Sequence, residues 1–228
     1  MSGKIAASGN IMSLLDTTCQ STTISNNYCY DCMFYDCTSL TTAPALPATT
    51  LADSCYYFMF YNCTSLTTAP ALPATTLADS CYDSMFKGCR SLTTAPALPA
   101  ITLASYCYGS MFYDCTSLTT APALPATTLA SGCYNYMFSG CTSLTTAPAL
   151  PATTLAPSCY SSMFYDCTSL KVYSSSGVGY TKAWRIPTSG SASSYTSQSR
   201  MFYGCPGSYK TTSSVSLNRI FYTQNTPV

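Results

Sequence analysis

Cysteine is the residue type in this 228-residue chain with the most obvious chemistry; there are fifteen of them. Thiolates attack electrophiles, ligate metals and exchange disulfides. The chain has no His, and all eight acidic residues are Asp. Without His, the Ser-His and Cys-His nucleophile pairs cannot be assembled, and His-containing zinc sites are excluded. One lone Cys-x-x-Cys, Cys29 to Cys32, has no second pair to complete a metal site. The expectation is therefore no catalytic residue, no metal ligand, no cofactor and no enzyme.

The elements that carry the cysteines are a repeat of 26 residues. Cys29/Cys37, Cys55/Cys63, Cys81/Cys89, Cys107/Cys115, Cys133/Cys141 and Cys159/Cys167 all keep a separation of eight. Met33, Met59, Met85, Met111, Met137 and Met163, each followed by Phe, hold the same phase. Self-similarity of this kind implies a solenoid, each repeat burying its apolar face against the next. Cys55, Tyr56, Met59, Phe60 and Cys63 form an apolar stripe that predicts a helix of about two turns. Asp53, Asp79, Ser105 and Ser131 are its predicted N-caps, with Pro157 as a first helical residue. Asn62, Gly88 and Gly140 suit a helix end with positive φ.

Thr64-Ser-Leu-Thr-Thr-Ala-Pro70 predicts a short strand with Leu66, Ala69 and Ala71 inward and Pro70 interrupting the ladder. Paired with its copy one repeat later, it must be parallel. Asn10–Asp16 predicts a first strand. The resulting fold class is α/β, a solenoid of about seven coils with short parallel strands on one face and short helices on the other. One domain is expected: a degenerate cap at 1–28, regular repeats at 29–170, and a degenerate repeat with a C-terminal cap at 171–228. In that last part Thr181–Pro187 and Met201–Cys205 echo the repeat. Lys171–Tyr180 predicts a hairpin-like insertion, and 213–223 a closing strand.

The thiols are expected to be buried and free, acting as small hydrophobes. Eight residues of helix span ~12 Å, beyond the ~7 Å that a disulfide bridges. Equivalent cysteines in neighbouring coils would point in parallel. Free thiols imply a reducing or anaerobic setting, at least during folding. Only 7% of residues are charged and the net charge is +1, with no basic cluster for nucleic acid or anionic lipid. No apolar run approaches the ~20 residues of a membrane helix. Met1–Asn10 makes a poor signal peptide. Leu-Pro-Ala-Thr-Thr, starting at Leu46, Leu72, Leu124 and Leu150, lacks the Gly of a sortase signal and reads as the turn between strand and helix.

Phe-x-x-Cys-x-Ser-Leu-Thr followed by Leu-Pro resembles the BspA-like leucine-rich repeats, close to the Treponema type. The Met-Phe-x-x-Cys and Leu-Pro-Ala-Thr-Thr-Leu version is similar to the bacterial surface protein 26-residue repeat. The resemblance covers 29–170 well, and 10–28 and 181–205 weakly. It implies a right-handed α/β solenoid, and a cell-surface or secreted protein that binds other proteins. Similar copies in phage tail or virion proteins imply an alternative, recognition of a bacterial surface glycan. A structural spacer with no ligand is the third reading, and a virion or cytoplasmic location the alternative to the surface.

The candidate binding residues fall in three groups. Thr42, Thr68, Thr94, Thr120 and Thr146 make a hydroxyl-lined strip if Ala43 points inward and Thr42 and Pro44 outward. The strip leads to Trp184 and Arg185, types enriched at interface hot spots, or else a cap over the last coil. At the predicted helix end, Tyr35, Tyr61, Tyr113 and Tyr165 alternate with Lys87 and Ser139. Exposed Tyr offers contact area at low entropic cost. A second variable set runs from Asp31-Cys32 through Tyr57-Phe58 to Ser161-Ser162, expected on an outer helix face.

Overall fold

In the computed structural model the apolar stripe is not a helix. The structure describes residues 3–180, 182–185, 189–190, 199–213 and 220–223. Ser54, Phe58 and Asn62 all have positive φ, 54°, 51° and 54°, and the same four-residue spacing recurs at Ser80, Ser84, Gly88 and at Tyr106, Ser110, Asp114. A left-handed residue at every fourth position cannot continue an α-helix. The segment is instead a chain of turns. Its odd-numbered amides donate within the coil, as Met59 N–H to the Tyr56 carbonyl (3.2 Å) and Tyr61 N–H to Phe58 (3.0 Å). Its even-numbered amides donate sideways to the next coil, as Tyr56 N–H to Cys81 (3.0 Å), Phe58 N–H to Asp83 (3.1 Å) and Phe60 N–H to Met85 (2.9 Å). These bonds leave no amide of the chain from Ser54 to Cys63 without an acceptor, which is what burial of a backbone demands.

The predicted helices, with N-caps at Asp53, Asp79, Ser105 and Ser131, are thus replaced. Cys, Tyr, Phe, Ser, Asn and Gly all rank below Ala and Leu as helix formers. A four-residue period differs from 3.6 by only about 40° per turn, so a stripe two turns long fits either. Positive φ at Asn62, Gly88 and Gly140 is confirmed (54°, 78° and 74°).

The turn segments stack face to face. Phe60, Phe86, Phe112 and Phe138 lie with near-parallel rings 5.6 to 5.8 Å apart, and Phe164 continues to Phe202 at 5.5 Å. A tyrosine ladder runs beside it from Tyr30 to Tyr160, at 5.6 to 6.0 Å. With Met59, Cys55, Cys63, Leu66 and their copies, these form one continuous apolar cluster. The seventh echo of the frame is in register: Phe164 N–H donates to Met201 (2.9 Å) and Asp166 N–H to Tyr203 (2.8 Å).

The second cysteine of each coil has a defined role. Cys115 Sγ donates to the Phe86 carbonyl one coil back at 3.1 Å, and Cys63, Cys89, Cys141, Cys167 and Cys205 repeat the contact at 2.9 to 3.1 Å. A thiol is both small enough for this slot and a hydrogen-bond donor, though a weak one. None of the fifteen cysteines forms a disulfide, and eleven of them are buried. Burial raises the thiol of Cys63 to about 12. At pH 8 the native protein is expected to be alkylated by iodoacetamide at Cys19, Cys29, Cys32 and Cys37 at most, and in denaturant at all fifteen. Mass spectrometry counts the adducts; a denatured count well below fifteen would reveal bridges.

The opposite face has only short pairings. β1 (Ile5–Ala6) pairs in parallel with β2 (Leu40–Thr42). Downstream, single parallel bridges join Thr42, Thr68, Thr94, Thr120 and Thr146 in succession. Pro44, Pro96 and Pro148 are buried and Ala45, Ala71 and Ala97 exposed, so the expected Ala71-inward, Pro44-outward alternation is reversed past the first Ala. Pro removes a donor and ends the ladder there. A second ladder joins Thr76, Thr102 and Thr128, and Thr23 to Thr50. It continues where β3 (Thr154–Leu155) pairs with β6 (Ser189–Gly190).

The ends depart from the expected caps. Asn10–Asp16 is not a strand: Asn10 caps a single 3-10 turn, Ile11–Leu14, its side chain accepting from Met12 N–H at 2.9 Å. At the other end β4 (Val172–Tyr173) and β5 (Lys182–Arg185) flank β7 (Ile220–Thr223), both antiparallel to it. Within the insertion Lys171–Tyr180 an antiparallel bridge joins Gly177 to Tyr180 and the Tyr173 and Tyr180 rings meet at 4.5 Å, while β4 at its start pairs with β7. Residues 214–219 of the predicted closing strand lie outside the described residues.

Candidate functional site

The free positions of the turn segments follow the buried Phe and precede the left-handed residue. Each side chain there emerges at the corner where a segment ends, and the sideways hydrogen bonds hold neighbouring corners in line. Asp114 N–H donates to the Ser139 carbonyl (2.8 Å) and Gly140 N–H to Tyr165 (2.8 Å). The resulting row reads Tyr35, Tyr61, Lys87, Tyr113, Ser139, Tyr165, Tyr203. Tyr35 stacks on Tyr61 at 4.5 Å and Tyr165 on Tyr203 at 5.4 Å. Lys87 Nζ sits 4.4 Å from the centre of the Tyr113 ring, a cation–π contact.

Ser139 is the one small side chain in this row and is buried. It leaves a notch between Tyr113 and Tyr165, part of an open groove of about 780 Å³ that Arg90, Asp114, Asp166 and Thr142 also line. Gly140 is required here: at φ +74°, a Cβ would collide with the Asp114 carboxylate, which lies over it. Burial pushes the Asp114 carboxyl up, with Arg90 and then Lys87 opposing the shift. Tyr113 is also raised by burial, against a hydrogen bond from Ser139. Two aromatic walls, two carboxylates, a guanidinium and hydroxyls around an open notch can hold a polar ligand with a flat or basic group. They do not form a nucleophile–base pair.

The other variable set is an outer face only in part: Cys32 and Tyr136 are exposed. Ser84 and Ser162 are buried and Tyr57 and Phe58 half-buried. The Asp83 carboxyl lies where a Cβ on Gly109 would meet it at 3.4 Å, and it accepts from the Ser84 hydroxyl at 2.8 Å. Burial raises Asp83 from 3.8 to about 6. The folded state then holds the extra proton between those values, so stability falls as pH rises from about 4 to 6, by on the order of 2 kcal/mol. In Asp83→Asn this slope is expected to vanish from urea titrations across that range.

The predicted threonine strip exists as a ladder. Thr42, Thr68, Thr94 and Thr120 are exposed, while Thr146 is buried. A shallow groove of about 400 Å³ runs along Thr120, Pro122, Thr146 and Pro148. Trp184 and Arg185 lie on β5 opposite Phe221 and Ile220. The second threonine ladder was hidden in Leu-Pro-Ala-Thr-Thr, read as a mere turn; the doubled Thr of a β-branched type was the available signal. Ile101, 59% exposed, stands where the other copies have Thr.

Comparison with known proteins gives one match. The family model of the BspA type leucine rich repeat region matches residues 14–145 and 81–182, in six copies. No curated protein and no solved structure matches. No helix among the described residues is long and apolar enough to cross a membrane, and no group of three or more potential ligands that could hold a metal occurs among them.

Proposed function

We propose that this chain, which belongs to the BspA-type leucine-rich repeat family, is a non-enzymatic protein-binding module displayed on or released from a cell surface. The notch at Ser139, walled by Tyr113 and Tyr165, carries this reading. Tyr and Arg are the types over-represented where interfaces concentrate their energy. Tyr35, Tyr61, Trp184 and Arg185 extend the contact, and 1–228 acts as one solenoid body. The lack of His and Glu fits a binder. The eleven buried thiols are compatible with an oxidising exterior, because a buried, protonated thiol is a poor nucleophile.

Ser139→Tyr tests this, because the frame already carries Tyr at this position in other coils. Peptides selected from a random display library on the wild-type protein should bind Ser139→Tyr and Tyr165→Ala at least about tenfold more weakly, a loss of about 1.4 kcal/mol. Equal binding to all three proteins would remove the notch from the account.

The regular threonine ladder favours a second reading, a polymer of matching repeat such as a surface glycan. On a glycan array, binding that survives Ser139→Tyr but is lost in Thr94→Val and Thr120→Val would select it. A protein that retains no ligand in either screen is a spacer.

A further inference from the structure

Within the turn segments the sideways backbone hydrogen bonds all run one way. In every turn segment the lateral amides face the C-terminal end of the stack and the lateral carbonyls face the N-terminal end. Cys55, Tyr57, Met59 and Tyr61 each accept from the preceding coil at 2.9 Å, from Tyr30, Cys32, Phe34 and Asp36. Their counterparts Cys29, Asp31, Met33 and Tyr35 belong to the first turn segment, and among the described residues nothing donates to their carbonyls. Asp31 adds a carboxylate oxygen that is buried with no partner.

The side chains repeat the pattern. Met33 is 41% exposed, where Met59, Met85, Met111, Met137, Met163 and Met201 are 0%. Phe34 stacks on Phe60 at 5.3 Å through one face. Cys37 is the one second-position cysteine whose Sγ has no carbonyl to donate to among the described residues. Among the described residues, those before the first turn segment cover only its flanks. β1 covers Leu40–Thr42, and the Tyr30 hydroxyl donates to the Ile11 carbonyl at 3.2 Å. Between them a groove of about 450 Å³ remains, lined by Ile5, Ala7, Phe34, Cys37 and Leu40 among others.

We propose that this edge docks a short polypeptide turn from a partner, of the Met-Phe-x-x-Cys kind that builds the stack itself. The chemistry selects that occupant. The edge offers acceptors at alternate residues, which calls for amides at alternate residues with no carbonyls between them. A β-strand edge presents both groups on one side and would set carbonyl against carbonyl. A docked turn also brings an aromatic ring to the free face of Phe34 and a carbonyl to the Cys37 thiol. A second copy cannot serve in the same way. Its C-terminal end is closed by β7, with Phe221 against Phe202 at 5.0 Å, and head-to-head pairing would oppose two rows of carbonyls.

The test uses the full chain and a fluorescein-labelled peptide of residues 80–92, Ser-Cys-Tyr-Asp-Ser-Met-Phe-Lys-Gly-Cys-Arg-Ser-Leu, followed by anisotropy. Three further species serve as controls. The peptide with Phe86 replaced by Ser loses the ring. The peptide N-methylated at Ser84 and Phe86 loses lateral donors. The chain variant Met33→Asp adds a charge at the exposed edge, and its unchanged thermal transition establishes that it folds. Saturable binding that weakens at least about tenfold with each of the three is expected. No saturation, or equal binding to Met33→Asp, overturns the proposal. So does an N-methylated peptide that binds as well as its parent.

Discussion

Phe112→Ala is expected to cost about 3–5 kcal/mol, the range for removing a buried aromatic ring. The ring is fully buried and stacks on Phe86 at 5.8 Å and Phe138 at 5.7 Å. In a stack where each coil touches only its neighbours, such a gap also uncouples the two halves. Urea unfolding should therefore turn from one transition into two, with the halves on either side of residue 112 separating. A loss under about 1 kcal/mol with a single transition would mean that the phenylalanine ladder does not carry the coupling between coils.

Gly140→Val is the second large effect, expected at about 3 kcal/mol or more. A β-branched residue in the left-handed region costs about 1–2 kcal/mol, and here its Cβ would also displace the Asp114 carboxylate. Displacing that carboxylate opens the floor of the notch, so peptide binding should fall together with stability. The double variant Asp114→Gly, Gly140→Val separates the two causes: thermal denaturation should show part of the lost stability restored, while the backbone cost remains. Equal stability of the single and double variants would show that the carboxylate does not lie over Gly140.

The repeat, its parallel ladder of Thr42 to Thr146, and its unbridged cysteines were legible because they depend on spacing alone. The turn chain was not. Cys55, Tyr56, Met59, Phe60 and Cys63 fall on one face whether the period is 3.6 or four, and the cue lay in residue type. The position of Asp36, Asn62, Gly88, Asp114, Gly140 and Asp166 admits only residues that tolerate positive φ, and it was read as one helix end rather than the last of three such positions. Phe58 and Tyr136 obscured the cue, since bulky residues are uncommon at positive φ. The candidate tyrosines were legible as free positions, but the notch was not. It arises from a missing ring at Ser139, and what a small residue exposes depends on which neighbours the stack places beside it. Trp184 and Arg185 fell on a strand whose partner, Phe221 and Ile220, sits thirty-five residues or more away in a region with no repeat to set the register.

The turn chain with a left-handed residue at every fourth position underlies the stacked core, the row of tyrosine corners and the open N-terminal edge. Ser110 tests it most directly, with φ 48° in mid-segment and a partly exposed side chain. In a helix, Ala is more stable than Gly by about 1 kcal/mol; in the left-handed region the order inverts by about 1 kcal/mol. Chemical denaturation of Ser110→Gly and Ser110→Ala should find the glycine variant the more stable. An alanine variant more stable than the glycine variant would contradict the turn chain and restore the helix.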